Sequence, residues 1–189
     1  MSPLSRAVRF LAAASTLALA TQATGCASDP SSQTDDITDV ANSKVKRQAI
    51  GNCWEYASNG WGEALRLGHS GEELNLSESY VTYWHWLEEI SGGAAGMSAV
   101  ASLDADQLST GGFWGDAAEL MRRYGIMDEG KFIPEEAEAA RSARQSSALS
   151  AINTSLKSGV LSDKAKRKDL TVVRAELDKA WQLSPEVSK

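Results

Sequence analysis

Two cysteines and two histidines are all that 189 residues provide of the side chains that most often bind transition metals or act as nucleophile and base. No cluster of His, Cys and acids has ligand spacing, so no metal is implied, and no cofactor is implied either. Basic charge is also scarce, with 19 Lys and Arg against 25 Asp and Glu. Setting aside Arg6 and Arg9, which lie in an acid-free leader, leaves 17 basic groups facing those 25 acids, a charge of about −8. A nucleic-acid partner needs a basic footprint that this chain does not have, whereas such a charge favours solubility. Long apolar runs are missing. The single candidate, residues 10–20, is too short to span a bilayer. Long alternating stretches are missing as well, so the chain reads as mostly helical.

What is present divides into three parts. Residues 1–26 form a targeting segment: two arginines, an apolar run, then Ala23-Thr24-Gly25-Cys26. Small residues directly before a cysteine resemble a bacterial lipobox, in which Cys26 is acylated and becomes the new N-terminus; the alternative is an ordinary cleaved secretory signal. Residues 27–43 are Ser, Asp, Thr, Gln and Pro with little to bury, and read as a disordered tether. Residues 44–189 are one domain's worth of sequence, and 42 % apolar content over the whole chain is ordinary for a globular protein. These parts predict an exported protein of the cell envelope, held to a membrane through lipid on Cys26 or else secreted.

The domain is organised around residues 47–57, Arg-Gln-Ala-Ile-Gly-Asn-Cys-Trp-Glu-Tyr-Ala. From Cys53 the larger apolar residues fall at 54, 57, 61, 64 and 65, the spacing of a helix with one buried face. Asn52 suits the N-cap, and Gly68 suits the other end. A thiol at the positive end of a helix dipole is favoured in its attacking thiolate form. Gln48 offers a side-chain amide beside the same sulfur, and together with the Cys53 backbone N–H it would make an oxyanion hole. Lys44 to Arg47 reads as a solvated run of charge.

Further helices follow. Asn75 and Glu78 fit a capping box for a helix over 77–90, whose Tyr80, Val81, Tyr83, Trp84, Trp86, Leu87 and Ile90 cover three faces and predict burial between two layers. Residues 91–101 read as a Gly/Ala-rich loop. Gly111-Gly112 leads into a helix over 116–124 that ends at Gly125. Pro134 with Glu135 and Glu136 starts a helix running to about residue 157, closed by Gly159. A last helix over 162–182 buries Leu170, Val173, Leu177 and Trp181, with the 163–168 charges as a solvated face.

The Gln48, Gly51-Asn52-Cys53-Trp54, Leu76-Ser77-Glu78-Ser79-Tyr80, Gly111-Gly112-Phe113-Trp114 and Tyr124-Gly125-Ile126 blocks resemble, in order and rough spacing, the nucleophile half of papain-like cysteine peptidases, most closely the bleomycin hydrolase and aminopeptidase C branch. The likeness covers residues 45–135. Gln48 stands five residues before the cysteine where that family has six, and Glu55-Tyr56 replaces its small-plus-aromatic pair. The resemblance implies an α+β fold of papain-like type, here its mostly helical half without the β-barrel, with residues 135–189 a two-helix extension. It implies a hydrolase in which Cys53 is the nucleophile, Gln48 serves the oxyanion hole, and Gly111 and Gly112 line the cleft for a peptide or protein substrate.

The chemistry is incomplete in this chain. Papain-like enzymes place their histidine and asparagine about 130 to 150 residues after the cysteine, a window that opens near the last residues here and holds no histidine. His69 stands about 24 Å along the Cys53 helix at 1.5 Å per residue, and His85 reads as a histidine in a partly buried aromatic face. Three readings stay open: the N-terminal half of a truncated peptidase, a non-catalytic envelope lipoprotein acting as a peptide-binding or interaction module, or a small helical lipoprotein whose likeness is coincidental. A half-domain would also self-associate through an apolar face around Trp84 and Trp86.

Overall fold

Helix α2 (Glu78–Ser91) is the axis of the molecule: every residue but Trp84 is buried. The computed structural model describes residues 40–93, 104–139 and 141–188. The predicted leader with Cys26, nearly all of the tether and most of the 91–101 loop lie outside the described residues. Ser77 starts α2, its hydroxyl accepting from the Tyr80 N–H at 3.2 Å. Asn75, expected to cap, instead donates to the Ala137 carbonyl at 3.3 Å. Gly92 closes the helix in the left-handed region, where glycine carries no Cβ penalty.

Helices α1 (Cys53–Ser70) and α3 (Trp114–Tyr124) pack on one side of α2. A small apolar cluster of Trp54, Val81, Ala117 and Leu120 joins the three. On the other side α4 (Gln145–Ser158) and α6 (Leu170–Trp181) close a larger core, with the short α5 (Lys164–Arg167) between them. Trp86, Ile90, Phe132, Ile133, Ile152, Leu161, Val173, Leu177 and Trp181 fill that core. The two-layer burial expected of α2 is what its neighbours provide.

The papain-like α+β expectation is corrected here. The described residues form helices and short 3-10 turns with no strand, and their one extended pairing is an isolated antiparallel bridge between Leu76 and Asp128. The segments that meet there are a few residues long and lead straight into a helix or a turn, so the pairing has no room to grow into a ladder. The architecture is helical.

Other boundaries shift for local reasons. α1 runs to Ser70 and is closed by Gly71 at φ 71° rather than by Gly68. The helix expected over 134–157 is a 3-10 turn at Pro134–Glu136 and then, after a break, α4. The last helix is interrupted at Asp169, whose carboxylate caps α6 by accepting from Thr171 N at 2.9 Å and Val172 N at 3.4 Å. Within the 163–168 charge run, Arg167 is buried rather than solvated. Its guanidinium donates to the carbonyls of Leu161 and Ala105, each at 2.6 Å, and of Leu156 at 3.4 Å.

The largest reversal concerns the face of α1. Its buried residues are Trp54, Glu55, Ser58, Asn59, Glu63 and Ala64, while Ala57, Trp61 and Leu65 point outward. Beneath the polar face lies Lys46, with only 13 % of its side chain exposed, pairing with Glu78 at 2.9 Å and Glu129 at 2.8 Å and lying 3.8 Å from Glu63. It is therefore no solvated charge. Burial alone would lower its pKa, but Glu78 and Glu129 outweigh that and raise it. The predicted apolar face around Trp84 and Trp86 is reduced: Trp86 is fully buried, and the exposed large apolar side chains of α1 and the start of α3 are Trp61, Leu65, Phe113 and Trp114.

Candidate active site

Cys53 is the first residue of α1, exposed and not in a disulfide. The turn before it is held by Asn52 N–H donating to the Ile50 carbonyl at 2.9 Å, and Asn52 O accepts from Glu55 N at 3.1 Å. The Asn52 side chain does not cap the helix as expected. It is fully buried and turned inward, where Nδ2 donates to Glu55 at 2.9 Å, Thr82 at 3.1 Å and Gln145 at 3.3 Å. The first amides of α1 are thus left without a side-chain acceptor from the N-cap, next to the thiol.

Gly111 and Gly112 come to the same place. The segment leading to them is anchored residue by residue to three helices. Leu108 N donates to Asn153 of α4 at 2.8 Å, and Ser109 N to Glu89 of α2 at 2.6 Å. The Thr110 carbonyl accepts from the Trp54 indole of α1 at 2.9 Å. Gly112 lies against that same indole, since a Cβ there would stand 2.6 Å from Trp54 Cε2. A Cβ on Gly51 would stand equally close, 2.6 Å, to the Thr110 hydroxyl oxygen. The rigid indole leaves Gly112 no room for a side chain, and the Gly51–Thr110 approach sets the strip beside the turn two residues before Cys53. Gly111 and Gly112 are exposed, and neither takes part in a backbone hydrogen bond among the described residues.

Gln48 is exposed, and its side chain makes no hydrogen bond among the described residues. His69 is exposed in the last turn of α1, at the opposite end from Cys53. His85 is 2 % exposed and packs edge-on against Trp54, ring centres 5.0 Å apart. Burial pushes its pKa down to about 4, so it stays neutral. It lies on the inner side of Trp54, whereas the Cys53 side chain faces solvent. Neither histidine is hydrogen-bonded to the thiol among the described residues.

The sequence reading missed the anchors of the strip. Glu89 is one of three buried glutamates in a helix rich in aromatic residues, and a buried acid in such a helix is itself a signal of a partner. That partner is the Ser109 N–H, across a sequence separation no local pattern reveals. Burial raises the Glu89 carboxyl to about 7, partly offset by that hydrogen bond. Compared with known proteins, the chain matches no family model, no curated protein and no solved structure.

Proposed function

We propose that the surface beside Cys53 receives an extended peptide on the Gly111-Gly112 backbone and presents the thiol to it, a cysteine-peptidase type of site with Cys53 as nucleophile and Gln48 as the oxyanion-hole side chain. The observation that carries this reading is the anchored strip. Four of the five residues from Leu108 to Gly112 are fixed from behind, and the two glycines offer bare N–H and C=O groups to solvent. A peptide laid along such a strip pairs with it as an added strand would. Acyl transfer at this thiol needs an imidazole to take its proton and hand it to the leaving amine. His69 and His85 do not do so, which favours peptide capture over turnover by these residues alone. A non-catalytic peptide-binding role is the second reading, on the same observation.

A peptidyl chloromethyl ketone should alkylate Cys53 about tenfold faster than chloroacetamide does after correction for their intrinsic reactivities, a binding advantage of about 1.4 kcal/mol. Gly111→Val should remove that advantage and leave the chloroacetamide rate alone. A Cβ at position 111 meets only the Ser109 hydroxyl, at 3.8 Å, so the fold has room for the change. Corrected rates that are equal for both reagents in the wild-type chain would rule out a peptide-binding surface. No peptide hydrolysis by the chain alone is expected.

Export and lipidation on Cys26 belong to the same proposal, which places the site at a membrane surface of the cell envelope. The expected result is partition with membranes that Cys26→Ser abolishes. An intact mass showing an unmodified terminus at Ala27 or Ser28 would contradict it. No helix among the described residues is long and apolar enough to cross a membrane.

A further inference from the structure

Between α2, α3 and α6 opens a cleft of about 720 Å³ that shares no residue with the Cys53 site. Its wall is a stack. The rings of Trp84 and Tyr124 lie parallel, 4.1 Å apart and 7° from coplanar. The Arg174 guanidinium sits over Trp84, 5.7 Å from the ring centre. With Tyr124 covering one face of the indole, the guanidinium covers the other. Leu87, Leu170 and Ala175 supply further apolar wall, and the Thr171 side chain stands at the edge.

The charges facing this space are Arg123, Arg174 and Asp178. Arg123 pairs with Glu119 at 3.1 Å. Asp178, one turn beyond Arg174, accepts the Tyr83 hydroxyl at 2.7 Å. No carboxylate forms an ion pair with Arg174 among the described residues. The Arg174 guanidinium also meets the Tyr83 hydroxyl that Asp178 accepts from. A half-buried guanidinium held in place by an aromatic face and that hydroxyl, with no carboxylate in ion-pair contact among the described residues, in a partly apolar cleft of small-molecule size, is a preorganised receptor for a planar anion. Its fork matches a carboxylate in two parallel hydrogen bonds, which an ammonium would not.

We infer that this cleft binds a small carboxylate with a flat apolar body, the carboxylate on Arg174 and the Thr171 hydroxyl, and the body against Tyr124, Leu87 and Leu170. The Trp84–Tyr124–Arg174 stack sets the orientation, and the apolar wall supplies most of the contact area.

The matched probes are naphthalene-2-carboxylate and its neutral isostere naphthalene-2-carboxamide, followed by calorimetry on the full chain. The carboxylate should bind at least about tenfold more tightly than the amide, the size of one charge-assisted bidentate contact. Arg174→Met, which keeps an apolar stem over Trp84, should bring carboxylate affinity down to that of the amide and leave the amide unchanged. Should that variant fail to fold, Arg174→Gln carries the same comparison. Trp61→Ser, in the exposed aromatic patch elsewhere on the surface, should change neither affinity. Equal binding of the two probes, binding of neither at millimolar concentration, a preference that survives loss of Arg174, or a loss caused by Trp61→Ser would each overturn the inference.

Discussion

The melting temperature should fall as pH is raised from about 5 to about 9, and Glu55→Gln should remove a large part of that fall. Glu55 is fully buried in the polar face of α1, and burial raises its carboxyl to about 8. Hydrogen bonds from Thr82 and Asn52 hold the charged form only in part, and the nearby Glu78 charge adds to the rise. Glu129 is likewise raised to about 8, first by burial, against the attraction of Lys46 and with the Glu78 and Glu136 charges opposing ionisation. One lysine faces Glu63, Glu78 and Glu129 together, so it cannot neutralise them all.

The sign follows from which state holds its protons more tightly. In the unfolded chain these carboxyls ionise near 4.3. In the folded chain Glu55 and Glu129 keep their protons up to about 8, and Glu89 up to about 7. The stability they contribute is therefore complete below the unfolded value and is lost as pH rises through the folded values. At about 1.4 kcal/mol per unit, Glu55 alone has a ceiling near 5 kcal/mol, and about 2 kcal/mol is expected once water enters and the cluster relaxes. Glutamine keeps a carbonyl oxygen to accept from Thr82 and Asn52 and carries no charge. The variant should match the wild type near pH 5 and exceed it by about 2 kcal/mol near pH 9. A wild-type chain more stable at the higher pH would show that these carboxyls are ionised in the fold.

This cluster also shows where sequence patterning misled. The apolar spacing at 54, 57, 61, 64 and 65 identified α1 as a helix but assigned too much of that stripe to the interior. Trp54 and Ala64 are buried, yet Ala57, Trp61 and Leu65 face out because Glu55 and Glu63 are committed to partners outside α1. Glu63 accepts from Leu76 N at 2.6 Å, Glu55 from Thr82, and Lys46 fills the space between acids that lie far apart in the chain. A hydropathy pattern counts such residues as solvated, and only tertiary contacts reveal otherwise.

α2 was legible because its aromatic and apolar residues recur on three faces, although its cap is Ser77 rather than the expected Asn75. Cys53 and the Gly-Gly pair were legible as separate pieces, and the structure brings them together through Trp54. What held the strip in place was not legible, since Asn153 and Glu89 act across long separations. The break in the 134–157 helix was also hidden. The Ser142 hydroxyl donates to Glu136 and accepts from Gln145 N at 3.2 Å, spending on a buried turn the groups that a continuous helix would have carried through.

The strip also depends on the far side of the molecule, and Trp181 tests how far. Trp181 and Trp86 are both fully buried, ring centres 5.1 Å apart, with Phe132 at 6.2 Å from Trp181. They sit where α2, α4 and α6 converge, and Arg144 at the start of α4 ties the corner by donating to the carbonyls of Trp181 at 3.2 Å and Gln182 at 2.9 Å. Trp181→Ala should cost about 4 kcal/mol, because a large cavity opens that the surrounding helices cannot fill. For a domain of this size that is a fall of about 10 °C in Tm. Trp86→Ala should cost a similar amount, and the double variant clearly less than the sum, since each substitution enlarges the same cavity. Trp181→Phe should cost far less than alanine: it keeps most of the ring and removes an indole N–H that is buried without a partner among the described residues. Because Leu108 and Ser109 are anchored to α4 and α2, the peptide-probe advantage at Cys53 should vanish at the same temperature as the Trp181 environment melts, in wild type and variant alike. A variant that loses the α4–α6 core at a lower temperature yet keeps that advantage would show that α1, α2 and α3 hold the strip by themselves.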